Sequence, residues 1–412
     1  MNLKVRNLTA MLASSVLGIA GLTATAQTIQ SEQAGFSAAR LEHIGELMQA
    51  RMDAGWFPGA VTLVARNGEI VHLEAQGLMD IDSRRAMQTD AIFRIMSMTK
   101  PVVAVAVLMM IEEGRMRLTD PISRFVPELG GLSVGADAGT AAASRGVAYD
   151  VTLSDLLTHT AGFMSRAGTG QPAISIGPND TLADVLPRFA GVSLDFEPGT
   201  MWAYSGQFGF DALARAVEVA SGLPFDQFAE ERIFGPLAMD DTWFFPPEDA
   251  DRIASAYRSD DGRLVPQPEQ AFANGRYFSG GGGLYSTAED YLRFASMLLN
   301  GGEFDGNHLL GRKSVELMRT ALIPDTLPGR PAGEGWGLGV RVVTDRGARN
   351  TYLSNGSYGW SGAFNTHFFI DPVERVVGIF MTQSAFLGTR QQLRDDFETA
   401  VMQALIDSPM RH

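Results

Sequence analysis

Residues 93–113 read Phe-Arg-Ile-Met-Ser97-Met-Thr-Lys100-Pro-Val-Val-Ala-Val-Ala-Val-Leu-Met-Met-Ile-Glu-Glu. No polar side chain stands between Val102 and Ile111, and the Ala and Met content of that run predicts a helix buried on all sides, not a strand. On such a helix Ser97 and Lys100, three positions apart, share one face. A neutral Ser hydroxyl is a poor nucleophile and needs a base within hydrogen-bond reach. A Lys amine beside a buried helix is disfavoured as the charged form by desolvation, which suits it to that task. Ser97 at the helix start also sets its oxyanion near the positive end of the helix dipole. Ser-x-x-Lys recurs by chance in long chains, so the rest of the sequence has to support the reading.

Working outward, Ser37 to Arg51 carries Leu41, Ile44, Leu47 and Met48 at amphipathic helical spacing. Ala60–Ala65 and Ile70–Ala75 are β-rich runs around Asn67-Gly68, a strong hairpin signal. Residues 130–146 are rich in Gly, Ala and Ser and read as a loop. Ser154 to Glu248 reads as mostly helical, with Phe210–Ala220 and Asp226–Ile233 the clearest segments. Gly280–Gly283 marks a sharp turn or close backbone packing. Ala288–Leu299 returns to helical spacing. Thr366–Ile370 and Val376–Thr382 are strands joined through Asp371-Pro372, and Gln391–Ile406 is a last helix. Strands near both ends must then pair in one antiparallel sheet. The expected fold is α/β (α+β): an α/β lobe of about residues 27–110 and 275–412, split by a mainly helical lobe of about 111–274, with the active site in the cleft between them.

Composition narrows the function classes. With 33 basic against 47 acidic side chains the formal charge is −14, which repels nucleic acid and anionic lipid. The absence of cysteine excludes disulfides, a thiol nucleophile and thiolate metal sites. Lys4 and Arg6, an apolar run from Leu8 to Leu22 and Ala24-Thr25-Ala26 predict a signal peptide over residues 1–26 cleaved before Gln27, hence a periplasmic or secreted protein not held in a membrane. The six histidines show no metal-ligand spacing, and the four glycines lack the Lys-Ser/Thr of a phosphate loop, so neither a metal nor another cofactor is expected.

Four segments, in order, resemble the serine β-lactamase, D-Ala-D-Ala peptidase and family VIII carboxylesterase group. They are Ser97-Met98-Thr99-Lys100-Pro101 with its apolar helix, Thr152–Phe163, Phe196–Ser205, and Gly359–Pro372. The likeness runs from about Phe36 to the final helix and implies the β-lactamase/transpeptidase-like fold. It implies that Ser97 attacks the acyl carbonyl, that Lys100 helps deprotonate it, and that Tyr204 is the general base and acid across the cleft. Backbone N–H groups of Ser97 and Ala363 would form the oxyanion hole.

Two departures from the group bear on the substrate. Its Tyr-x-Asn becomes Tyr204-Ser205-Gly206, which removes a side-chain amide that Gln207 partly replaces in the expected site. Its Lys-Thr-Gly becomes Trp360-Ser361-Gly362, so the cation that receives a β-lactam carboxylate is absent and Trp360 offers a flat apolar wall suited to an uncharged ester. The expected activity is a serine carboxylesterase acting on small short-acyl esters. A β-lactamase or D-amino-acid amidase/peptidase with the same residues, an acyltransferase, and a non-catalytic penicillin-recognising-like binder are the alternatives. The oligomeric state, the acyl length and the alcohol stay open. Two features compete for the nucleophile and base roles. Gly131-Leu132-Ser133-Val134-Gly135 matches the Gly-x-Ser-x-Gly elbow but lacks its strand-turn-helix context. His159 reads as a structural hydrogen-bonder and not as a triad base.

Overall fold

The computed structural model describes residues 31–32, 34–135, 145–164, 174–247, 251–260, 263–267, 275–385 and 390–407. The expected leader, residues 1–26, and positions 136–144 of the Gly/Ala-rich segment lie outside them.

Helix α1 (Ala38–Asp53) buries Leu41, Ile44 and Met48 on one face. The chain then forms β1 (Gly59–Arg66), β2 (Glu69–Asp80) and the short β3 (Arg85–Ala86). Asn67 (φ 54°) and Gly68 (φ 87°) both lie in the left-handed region, the backbone that a two-residue hairpin between right-twisted strands requires. Five strands come from the C-terminal third: β4 (Glu334–Trp336), β5 (Arg341–Val343), β6 (Tyr358–Ser361), β7 (His367–Asp371) and β8 (Val376–Thr382). They form an eight-stranded sheet in the order β4-β5-β6-β7-β8-β1-β2-β3. β1 pairs antiparallel with β8, with Leu63 opposite Ile379, so the two ends of the chain are joined through the sheet centre. The Asp371-Pro372 turn is pinned by Asp371 Oδ1, which accepts from the N–H groups of Val373 and Glu374.

Both faces of the sheet are covered, so β1 and β8 are buried at every position. Ala60, Val64, Phe369 and Phe380 pack with Phe397 and Leu393 of α6 (Arg390–Met402) and with α1. On the other face Val61, Leu63, Phe368 and Ile379 pack with α2 (Thr99–Glu112) and α5 (Ala288–Leu299). Helix α2 is buried from Thr99 to Met110, as its unbroken apolar run predicts. Among the described residues no helix is long and apolar enough to cross a membrane.

The part between Ser154 and Glu248 holds less helix than its sequence suggests. It contains α3 (Leu153–Leu157), one turn at Leu182–Val185, α4 (Phe208–Ser221) and Phe225–Ala229. The expected helix Asp226–Ile233 changes to a π turn at Glu230–Phe234. The last helix ends at Met402, before the expected Ile406. Beyond it the Ala404 carbonyl accepts from Ser37 N–H and Leu405 bridges to Phe36, which ties the start of α1 to the segment after α6. Within the 130–146 segment, Ser133–Val134 pairs with Arg145–Gly146 as a two-residue ribbon. Strands β4 and β5 carry too few residues for a periodicity to register.

Candidate active site

Ser97 sits in a single 3-10 turn, Met96–Met98, that runs into α2. Met96 has φ 50°, a left-handed backbone that is uncommon for any residue but Gly and turns the chain sharply just before Ser97. The turn is held from both sides. Ile95 N–H donates to the Leu284 carbonyl at 3.0 Å, and the Ile95 carbonyl accepts from Thr366 Oγ1 at 3.0 Å.

Lys100 is wholly buried on the first turn of α2, and its Nζ reaches three acceptors. These are Ser97 Oγ at 3.3 Å, the Gly206 carbonyl at 2.7 Å and the Gly281 carbonyl at 2.6 Å. The three contacts match the three donors of an ammonium group. Nζ also lies 5.1 Å from the centre of the Tyr204 ring. Burial by itself would raise the Tyr204 phenol. The Lys100 charge and hydrogen bonds from Ser97, Lys100 and Trp360 outweigh it, so the phenol titrates below its ordinary value. Ser97, Lys100 and Tyr204, far apart in sequence for the last, therefore converge on one point.

The wall beside them is aromatic. Trp360 Nε1 donates to the Tyr204 hydroxyl at 3.4 Å, and the two ring centres lie 5.2 Å apart. Trp336 packs edge-on against Trp360 at 4.4 Å. Trp202 lies 5.4 Å from Trp336. His159 stands between Tyr204 (4.7 Å) and Trp336 (4.8 Å). Its carbonyl accepts from Ala203 N–H at 3.1 Å and its Nδ1 accepts from Ser205 N–H at 3.1 Å, so it holds the chain on either side of Tyr204.

Strand β6 packs against the nucleophile turn. Gly362 is seated where a Cβ would meet Thr366 Oγ1 and the Ile95 carbonyl, so only Gly fits, and Ala363 follows it just past the end of β6. Ser361 points to the opposite face of the strand from Trp360, and its Oγ lies 2.8 Å from His367 Nδ1. Gln207 caps α4, with its carbonyl accepting from Phe210 and Asp211 N–H, and its side chain lies beside the Tyr277 phenol.

Asp211 was not singled out in the sequence, yet it braces the site. It is fully buried and accepts from Tyr277 Oη (2.7 Å), Ser279 Oγ (2.8 Å) and Gly281 N–H (2.9 Å). Burial raises its carboxyl against these bonds and the Lys100 charge. Gly281 thus gives its N–H to Asp211 and its carbonyl to Lys100. A Cβ on Gly281 would come within 2.5 Å of Gln207 Cα, which explains the close packing that the run of glycines predicts. A lone carboxylate in the otherwise apolar Phe208–Ala214 stretch was the available signal.

Ser133 belongs to the short ribbon, opposite Gly146, with Oγ 3.2 Å from Ser193 Oγ; positions 136–144, where an elbow would need its helix, lie outside the described residues. Among the described residues no three His, Cys, Asp or Glu side chains are grouped as a metal site requires.

Comparison with known proteins agrees with this geometry. The Beta-lactamase family matches residues 44–402. Protein Rv1367c of Mycobacterium tuberculosis is 36% identical over 351 residues, covering 80% of this chain and 87% of the relative. Esterase EstB of Burkholderia gladioli is 31% identical over 373 residues, again covering 80% and 87%. Among solved structures, EstCE1, described as a hydrolase with promiscuous acyltransferase activity, superposes with a TM-score of 0.74 at 25% identity, covering 92% of this chain and 100% of that one. The chain belongs to the β-lactamase family of serine hydrolases, with esterases among its relatives and the β-lactamase/transpeptidase-like fold.

Proposed function

We propose that the protein is a serine carboxylesterase that hydrolyses small, short-acyl esters through an acyl-enzyme on Ser97. The observation that carries this reading is Trp360. The residue that stands where the family's Lys-Thr-Gly motif begins is an indole bonded to Tyr204, and it presents an apolar face where a substrate carboxylate would need a cation.

In this account Tyr204, its phenolate favoured by Lys100, takes the proton of Ser97 as Oγ attacks the ester carbonyl carbon. The oxyanion is met by the backbone N–H groups of Ser97 and Ala363 and by the N-terminal end of α2. Collapse breaks the bond to the leaving oxygen, which receives the proton from Tyr204. Water then repeats the sequence on the acyl carbonyl, giving its proton to Tyr204, and the acid departs as Ser97 recovers a proton. An alcohol in place of that water would complete acyl transfer; the promiscuous acyltransferase activity in the description of EstCE1 supports this second outcome. The basic start at Lys4 and Arg6, the apolar run from Leu8 and Ala24-Thr25-Ala26 support export, with a leader over residues 1–26, Gln27 as the mature N-terminus, a periplasmic or secreted enzyme and small-molecule esters as its partners.

The test is turnover of p-nitrophenyl acetate, p-nitrophenyl butyrate and nitrocefin by the mature chain and by Ser97→Ala and Ser133→Ala. The reading predicts ester turnover that Ser97→Ala abolishes and Ser133→Ala retains, with little nitrocefin opening. Ester inertness with rapid nitrocefin opening would overturn it in favour of a β-lactamase.

A further inference from the structure

Two ionisable side chains of opposite sign are wholly buried on helices that pack together, Lys100 on α2 and Asp211 on α4. Lys100 Nζ lies 5.3 Å from the ring centre of Phe210, the residue before Asp211. Among the described residues each is held by neutral groups only. Lys100 gives to the carbonyls of Gly206 and Gly281 and meets Ser97 Oγ. Asp211 accepts from the Tyr277 and Ser279 hydroxyls and from Gly281 N–H. Gly281 touches both, with its N–H on the carboxylate and its carbonyl on the amine.

The contacts of Nζ suit either charge state. Two carbonyls require two N–H donors, and the third position, toward Ser97 Oγ, takes a further N–H or the lone pair of a free amine. The far side of Gly281 breaks the tie. A carboxylate with three donors on it is favoured as the anion, and a buried anion is costly unless an opposite charge compensates it. Burial raises the Asp211 carboxyl, and its three donors and the Lys100 charge act against that rise. Tyr204 and His159 face the two helices from the cleft side, and Tyr277 faces Asp211, with the Arg188 charge reaching Tyr277. Asp155 of α3 is turned to Thr152 and Thr160, and Arg215, Glu218 and Asp226 act on one another farther along α4.

We propose that Asp211 is the counter-charge of Lys100 and, through it, a positioning residue for the reaction: it holds Lys100 as the ammonium, so that Tyr204 and not Lys100 takes the Ser97 proton. This rests on the esterase reading and deepens it. As Oγ bonds to the acyl carbon its proton passes to the Tyr204 oxygen, and Tyr204 returns it to the leaving oxygen. Lys100 keeps its three protons throughout and supplies charge alone.

The experiment sets a loss of charge against a loss of one hydrogen bond. Asp211→Asn keeps an acceptor oxygen for Ser279 and Gly281 and removes the charge, whereas Ser279→Ala keeps the charge. A carboxylate opposes the loss of any proton near it. The rising limb of kcat/KM against pH for p-nitrophenyl butyrate should therefore move about one pH unit or more lower in Asp211→Asn. Ser279→Ala should leave the limb in place. The second readout is thermal unfolding of Asp211→Asn, Lys100→Met and the double variant at neutral pH. Each single variant strands one buried charge and the double variant strands none. Its loss in Tm should fall short of the sum of the single losses by about 3 °C or more. If Asp211→Asn does not fold alone, its folding in the Lys100→Met background carries the test, and a double variant that also stays unfolded would overturn the proposal. An unmoved limb in Asp211→Asn, or additive losses in Tm, would overturn it while leaving the esterase intact. Inertness of the wild type toward the ester would sink the esterase reading, and the Tm comparison would still decide on the counter-charge.

Discussion

Tyr204 sums opposing effects in one side chain. Burial pushes the phenol up, and the Lys100 charge with three hydrogen bonds pulls it below its usual value. If the phenolate is the base, kcat/KM for an ester should rise with pH along a limb whose midpoint lies below 10, the ordinary value of tyrosine, and reach a plateau above it. Tyr204→Phe should lower kcat/KM by about 10²–10⁴-fold, the usual range for a general base, and erase that limb. The same limb persisting in Tyr204→Phe would assign the titration elsewhere. The three catalytic candidates were legible from residue type and segment likeness. Asp211, which shapes the Lys100 acceptor, was not, because a brace is defined by contacts across 70 positions of chain that one sequence does not reveal. His159 was read as structural, and its bonds to residues 203 and 205 give that reading a definite job.

At the scale of elements, strong periodicity or strong turn chemistry was readable and short or irregular pieces were not. The Asn67-Gly68 hairpin, the apolar run of α2 and the β7–β8 pair needed only local rules. Strands β4 and β5 are three residues each and exist because the sheet edge pairs with them. The π turn at Glu230–Phe234 likewise has no local signature. The β1–β2 hairpin supplies a prediction of its own. His72 on β2 is buried with Nε2 2.8 Å from Thr62 Oγ1, and burial lowers it from 6.5 to about 4. A histidine depressed in the fold binds its proton first in the unfolded chain. Its contribution is therefore complete above pH 6.5 and is lost as pH falls through that value toward 4. Between pH 7.5 and pH 5 this one group should remove about 2 kcal/mol of stability. Denaturant unfolding at the two pH values should show His72→Gln losing less than the wild type by roughly that amount. Equal losses would show that His72 does not titrate in this window.

At the scale of the whole molecule, one sheet closed by both ends of the chain brings three distant segments together: the turn before α2, the stretch before α4 and the end of β6. Phe36 bridges Leu405 on the α1–α6 side, and the nucleophile turn lies on the other face with α2. The long-range pairing was legible because strand signals occurred only near the two ends, and Trp360 was legible as a wall from its motif position, whereas its packing partners were not. Trp202, Trp336 and Trp360 meet only once the sheet is built. The claim that unites these features is that Ser97 becomes acylated. The most direct test is to mix the mature chain with p-nitrophenyl butyrate, quench in acid within the first turnover, and weigh the intact protein before mapping its peptides. The account predicts a single butyryl increment on the peptide containing Ser97, absent from Ser97→Ala. Turnover with no increment, or an increment on the peptide containing Ser133, would contradict it.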